Sequence, residues 1–166
     1  YIASALVPHD ANLGINEQEY VKHLREISKA ERLCGVYVNA LVGQIYSLEP
    51  EEQLRLITLA RQTLPSAVLV ITGVEGHRLK DVVQKANEAK QAGADMLEVL
   101  PPFDVRPYRR LVNKPDVPYQ FFKDLAREID MPMALFKYPV EIGLSYPIET
   151  IVRIAEDIEQ VVAMKA

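Results

Sequence analysis

The sequence is short of several things, and each shortage excludes something. It has one cysteine, Cys34, in 166 residues. A disulfide framework within the chain is therefore excluded, and such usage suits a reducing compartment, the cytoplasm. Cys34 sits in Leu33-Cys34-Gly35-Val36, just before an apolar run. That context reads as a small core side chain rather than a nucleophile. No apolar run is long enough to span a bilayer, and no basic segment leading into an apolar one marks a secretory leader. Neither sign of charge dominates: 19 Lys+Arg against 23 Asp+Glu leave a net charge of −4. That balance gives no reason to expect a nucleic-acid or anionic-membrane partner. The phosphate-binding patterns G-x-G-x-x-G and G-x-x-x-x-G-K-[ST] are missing. So are H-E-x-x-H and close Cys/His spacings. His9, Glu75 and His77 are too scattered for a metal site, and neither metal nor cofactor is expected.

What is present is an ordinary globular composition, 49% hydrophobic and 25% charged, in a length that suits one domain, residues 1–166. Apolar runs and helical periodicities alternate. A strand over Ile2 to Val7 ends at Pro8-His9-Asp10. A helix over Glu17 to Glu31 follows, with Asn16 as its N-cap and Tyr20, Leu24, Ile27 and Ala30 on one face. Next come a strand from Gly35 to Ala40 and a helix from near Ser47 to Thr63, with Pro50 in its first turn. Ala67 to Thr72 is a strand, and Leu79 to Gln91 is a helix closed by Gly93. Asp95 to Leu100 is a strand stopped by Pro101-Pro102. A loop from Phe103 to Pro118 carries Arg106, Arg109, Arg110 and Lys114. A helix over Tyr119 to Ile129, a strand over Met133 to Tyr138, a helix over Pro147 to Asp157 and a strand over Val161 to Met164 complete the chain.

This β-then-α order predicts a parallel sheet with helices outside it. Near-continuous apolar strands fit a sheet covered on both faces. Both a doubly wound open sheet and part of a (β/α)8 barrel satisfy the pattern. The final stretch, Val161-Val162-Ala163-Met164-Lys165-Ala166, runs an apolar strand straight into a lysine. Such a lysine either leaves the sheet for water or stays dry. A dry amine favours its neutral, nucleophilic form and condenses with carbonyls.

Five segments carry a resemblance. Gly43-Gln44-Ile45-Tyr46-Ser47-Leu48 with Glu51-Glu52 resembles G-E-x-x-S-L-x-x-x-E. Ile71-Thr72-Gly73-Val74-Glu75-Gly76 resembles I-A-G-V-G-G. Ala92-Gly93-Ala94-Asp95 with Pro101-Pro102-Phe103 resembles A-G-A-D-x-x-x-x-x-P-P-Y. Leu135-Phe136-Lys137-Tyr138-Pro139 stands where L-Y-N-x-P is found, and Val162-Ala163-Met164-Lys165 where V-G-I-K is found. These are patterns of the dihydrodipicolinate synthase / N-acetylneuraminate lyase family of class I aldolases. The resemblance implies a (β/α)8 TIM barrel, of which this chain supplies about the first six strands and five helices. It also implies a 2-oxo acid substrate, a Schiff base on Lys165 and a homo-oligomer, usually a tetramer. A whole barrel needs about 250 residues. The sequence is thus expected to be part of a longer polypeptide, with its first and last strands as open edges.

The departures bear on substrate and catalysis. The family's carboxylate-binding Thr-Thr pair falls on Leu41 and Val42, leaving the backbone of Gly43 and Gln44 to hold an anion. Its proton-shuttling tyrosine falls on Phe136, which has no hydroxyl. An arginine of the synthases falls on Glu141. The substrate of a true dihydrodipicolinate synthase is therefore not expected. Tyr138 lies two residues on, on the same strand face as Phe136; it either supplies the missing hydroxyl or packs at the barrel mouth. His9 and His77 follow strands on the side that holds the site in a barrel, although solvated loop histidines are commoner. Arg106 and its basic neighbours either meet an anionic substrate or another subunit, or are solvated. The joint losses also suit a second class: a catalytically inactive relative that binds a ligand or serves in an assembly.

Overall fold

The computed structural model describes residues 1–100, 114–137 and 146–166. Among them are strands β1 (Ile2–Ser4), β2 (Gly35–Val38), β3 (Leu69–Val74), β4 (Met96–Val99), β5 (Met133–Phe136) and β6 (Val161–Lys165). The helices are α1 (Glu17–Ser28), α2 (Pro50–Thr63), α3 (Leu79–Ala92), α4 (Asp116–Glu128) and α5 (Ile148–Asp157), with a 3₁₀ turn at Ile45–Ser47. The sheet order is β1-β2-β3-β4-β5-β6, so β1 and β6 are its edges, as expected. The chain divides into two compact units: Tyr1–Gly73 with Glu88–Met96, and Val74–Asn87 with Leu97–Ala166.

In the first unit β1 pairs with β2, and β2 with β3, all parallel. Each helix start has a local cause. The Asn16 side chain accepts from Glu19 N at 3.1 Å, capping α1 as its sequence predicts. Glu49 and Glu52 form a capping box at α2, with Pro50 in the first turn. One knot ties α2 to the sheet. Arg61 Nη1 donates to Asp95 Oδ2 at 3.0 Å and to Val68 O at 3.2 Å, while Nη2 donates to Pro65 O at 2.8 Å. Asp95 Oδ2 also accepts from Val70 N at 2.8 Å. Gly93 has φ +105°, and a Cβ there would lie 2.9 Å from Arg61 Cγ.

In the second unit β4 pairs with β5, and β5 with β6, again parallel. Phe122 and Leu125 of α4 and Ile154 of α5 are fully buried with Leu97, Met133 and Ala134. The α4–α5 seam carries a polar clasp. Tyr119 Oη donates to Asp157 Oδ2 at 2.9 Å, and the Arg153 guanidinium stacks 3.6 Å from the Tyr119 ring centroid.

Several expectations need correction. The fourth helix begins at Asp116, not Tyr119. Pro118 falls in its first turn, where a missing N–H breaks no helical hydrogen bond. Cys34 is exposed rather than buried. It lies one residue short of β2, with its Sγ donating to Tyr1 O at 3.1 Å. The last strand is not buried on both faces. Val162 and Met164 are 61% and 51% exposed, while Val161, Ala163 and Lys165, which alternate with them, are half-buried.

Candidate active site

The second unit brings Lys165, Glu98 and Phe136 together. Strand register explains how. Glu98 is level with Ala134, and Ala134 with Ala163, so these residues share one row across β4, β5 and β6. Phe136 and Lys165 form the next row toward the carboxyl ends of the strands. Partners in parallel register face the same side of a sheet, as do residues two apart on one strand. The two alanines of the lower row leave space, and the long lysine side chain crosses β5 to reach Glu98. Lys165 Nζ stands 3.0 Å from Glu98 Oε1; the lysine side chain is 20% exposed and the glutamate not at all. The same Nζ is 5.3 Å from the centroid of the Phe136 ring, a cation–π distance. Lys137 N donates to Lys165 O at 2.8 Å, fixing the end of β6 against β5. Burial drives the Glu98 carboxyl above its ordinary pKa, and the Lys165 ammonium opposes that rise without cancelling it.

Lys165 thus does not leave the sheet for water; it turns inward to a carboxylate. Glu98 escaped the sequence reading. Its only signal is one acid within Met96-Leu97-Glu98-Val99, an otherwise apolar strand. A carboxylate in such a place must be paired or neutralised.

The first unit holds the other candidates. Leu41 and Val42 lie on the turn after β2, 39% and 50% exposed. Gly43 is buried. Gln44 adopts a left-handed φ of 58°, and its N–H donates to Leu41 O at 3.1 Å. That N–H is already committed, so of the two backbone donors expected to hold an anion, Gln44 is the weaker. The Gln44 side chain and Leu13 O each lie 3.2 Å from a ring nitrogen of His9. His77 is exposed, and Lys85 Nζ pairs with Glu75 at 2.5 Å. Tyr138, Glu141, Arg106, Arg109 and Arg110 lie outside the described residues. Among the described residues, no group of three or more His, Cys, Asp or Glu is placed to hold a metal, and no helix is long and apolar enough to cross a membrane.

A parallel β/α sheet with a lysine at the carboxyl end of its sixth strand is the arrangement of a lysine-bearing (β/α) barrel. The Dihydrodipicolinate synthetase family model matches residues 2–166, and the chain belongs to that family. It is 30% identical over 164 residues to 4-hydroxy-tetrahydrodipicolinate synthase of Bacillus subtilis, covering 99% of this chain and 54% of that protein. An uncharacterised DapA-like lyase of Pyrobaculum neutrophilum is 25% identical over 164 residues, covering 99% of this chain and 52% of the relative. The crystal structure of dihydrodipicolinate synthase from Aquifex aeolicus superposes with a TM-score of 0.82 at 24% identity, over 99% of this chain and 54% of that one. N-acetylneuraminate lyase from Fusobacterium nucleatum gives 0.81 at 18% identity, over 98% and 54%. The fold is that of the (β/α)8 barrel, of which this chain supplies six strands. The chain spans about half the length of the curated relatives it matches.

Proposed function

We propose that the protein is a lyase of the aldolase type, acting on a 2-oxo acid through a Schiff base on Lys165. The observation that carries this reading is the position of Lys165: at the end of β6, four-fifths buried, with Nζ against a buried carboxylate. A barrel holds its chemistry at the carboxyl ends of its strands. Once the amine has condensed with a ketone, the iminium draws electrons from the adjacent carbon–carbon or carbon–oxygen bond. In this reading Tyr138 moves protons on the substrate, Gly43 contributes to holding the carboxylate, and Arg106 meets a distal anionic group. Family membership supports the reaction class, while the losses at Leu41, Val42 and Phe136 point away from the substrate of the synthases. A cytoplasmic homo-oligomer completes the reading; the scarcity of cysteine supports the first part and the resemblance the second.

Borohydride reduction in the presence of candidate 2-oxo acids tests it. A mass increase equal to the acid, less water, plus two hydrogens should map to Lys165. The reading fails if no 2-oxo acid yields this adduct. One observation favours a second reading, a non-catalytic relative that binds a ligand: the Lys165 ammonium is already engaged in an ion pair with Glu98. Ligand-induced thermal stabilisation without adduct or turnover would support it. Turnover abolished in Lys165→Ala would exclude it.

A further inference from the structure

We propose that Glu98 is the proton carrier for Lys165, taking a proton from its ammonium before condensation and returning it to the departing hydroxyl. The inference rests on the Schiff-base reading above and assigns the acid–base partner of the same lysine. Three observations carry it. The carboxylate is fully buried and touches the amine at 3.0 Å. The neighbouring ring on β5 belongs to Phe136, which has no proton to give. The row of Ala134 and Ala163 clears the path between β4 and β6 for that contact.

An ammonium has no lone pair and cannot attack a carbonyl, so the ion pair as it stands is the resting state. Transfer of one proton from Nζ to Glu98 gives amine and carboxylic acid, a neutral pair. In a dry site that pair loses less to desolvation than separated ions do. The amine nitrogen then attacks the carbonyl carbon. The C–N bond forms, the C–O double bond becomes single, and a proton passes from nitrogen to the new oxygen to give a carbinolamine. Glu98 donates its proton to that hydroxyl as the C–O bond breaks, so water leaves and the iminium forms. In sum, ammonium plus ketone give iminium plus water. Glu98 begins and ends as a carboxylate, and its charge then faces the iminium cation. No oxidant, metal or second reactant enters the balance.

The test compares rates of borohydride trapping in the parent protein, Glu98→Gln and Glu98→Ala, with the 2-oxo acid that traps best in the parent. Loss of a positioned acid–base group slows the step by ~10²–10⁴-fold, and both variants should show such a loss. Formate added to Glu98→Ala should recover part of the rate, because a small carboxylic acid fits the space vacated by the side chain. A purely structural role would not produce rescue by formate. Near-ultraviolet circular dichroism confirms that each variant is folded, and should Glu98→Gln misfold, formate rescue of Glu98→Ala decides alone. If parent and Glu98→Gln trap at equal rates, or if Glu98→Ala is slow and insensitive to formate, Glu98 is not the proton carrier while the Schiff base stands. If the parent forms no adduct at all, the Schiff-base reading falls and this inference falls with it.

Discussion

At the scale of single residues, the proposed chemistry gathers at a pair that folding alone would not select. Burying a carboxylate and an ammonium costs several kcal/mol per ion by general estimate, and their attraction offsets that cost only when the geometry is good. Apolar side chains in the same places often serve stability as well, and under the proposed reading the pair is kept for its proton. Its cost has a measurable signature. The Glu98 carboxyl is raised from its ordinary value of 4.5, chiefly by burial. A raised acid keeps its proton longer in the folded state than in the unfolded chain. Below about pH 4.5 both states are protonated and no penalty exists; as pH climbs from there toward the folded value, stability is lost. Glu17 and Glu26 behave oppositely, since hydrogen bonds from Arg55 and Lys29 lower their values and they lose stability as pH falls. The difference between parent and Glu98→Gln isolates the single site. Measured by urea denaturation, the parent's stability relative to Glu98→Gln should decline as pH rises from 4.5. A flat or rising difference would show that Glu98 is no more easily protonated in the folded protein than outside it.

At the scale of elements, sequence signals with a local mechanism gave reliable boundaries. Asn16, Pro50 and Gly93 act within one or two turns of themselves, and each is found doing what its chemistry suggests. Signals that depend on a partner from elsewhere misled. The apolar neighbours of Cys34 predict a core side chain, yet its burial is set by where β2 begins. The strand predicted over Ala67 to Thr72 runs on to Val74, so Gly73 lies inside β3, where a Cβ would collide with Asn39 O. Asn39 itself takes a left-handed φ of 53°, and its side chain donates to Gln53 O at 2.9 Å. Glycine at 73 is what lets that carbonyl approach the strand. The clash in Gly73→Ala is with backbone and cannot be relieved by a rotamer change, so the loss should be about 3 kcal/mol or more. Gly93→Ala meets the flexible Arg61 side chain instead, and its cost is mainly conformational, about 1–2 kcal/mol. Thermal or urea denaturation should therefore rank Gly73→Ala as the less stable of the two. The reverse order would mean that β3 and Asn39 shift apart at little cost.

At the scale of the whole molecule, alternation of apolar runs with helical periodicity was enough to reveal a parallel β/α sheet, because every connection in such a fold leaves the same mark. The candidate site was legible only in part. Lys165 stood out as a cation closing an apolar strand. Glu98 did not, because a strand covered on both faces has no polar side on which an acid would announce itself, and its partner lies 67 residues later in the chain. Substrate choice is less visible still, since it depends on what the chain lacks. Under the proposed reading the family's paired threonines are replaced by Leu41 and Val42, which offer no hydroxyl to a carboxylate. A hydrogen bond to a charged group contributes about 1.5–3 kcal/mol, or about one to two powers of ten in affinity. Pyruvate should consequently compete poorly with longer 2-oxo acids that have a distal anion and an apolar middle. The double substitution Leu41→Thr with Val42→Thr should shift that preference by raising pyruvate affinity at least tenfold while leaving the site of borohydride labelling at Lys165. Dissociation constants for pyruvate and for each longer acid, measured by calorimetry before any borohydride is added, give the measurement. Pyruvate binding more tightly than every longer acid in the parent, or no gain in the double variant, would place carboxylate recognition elsewhere in the chain.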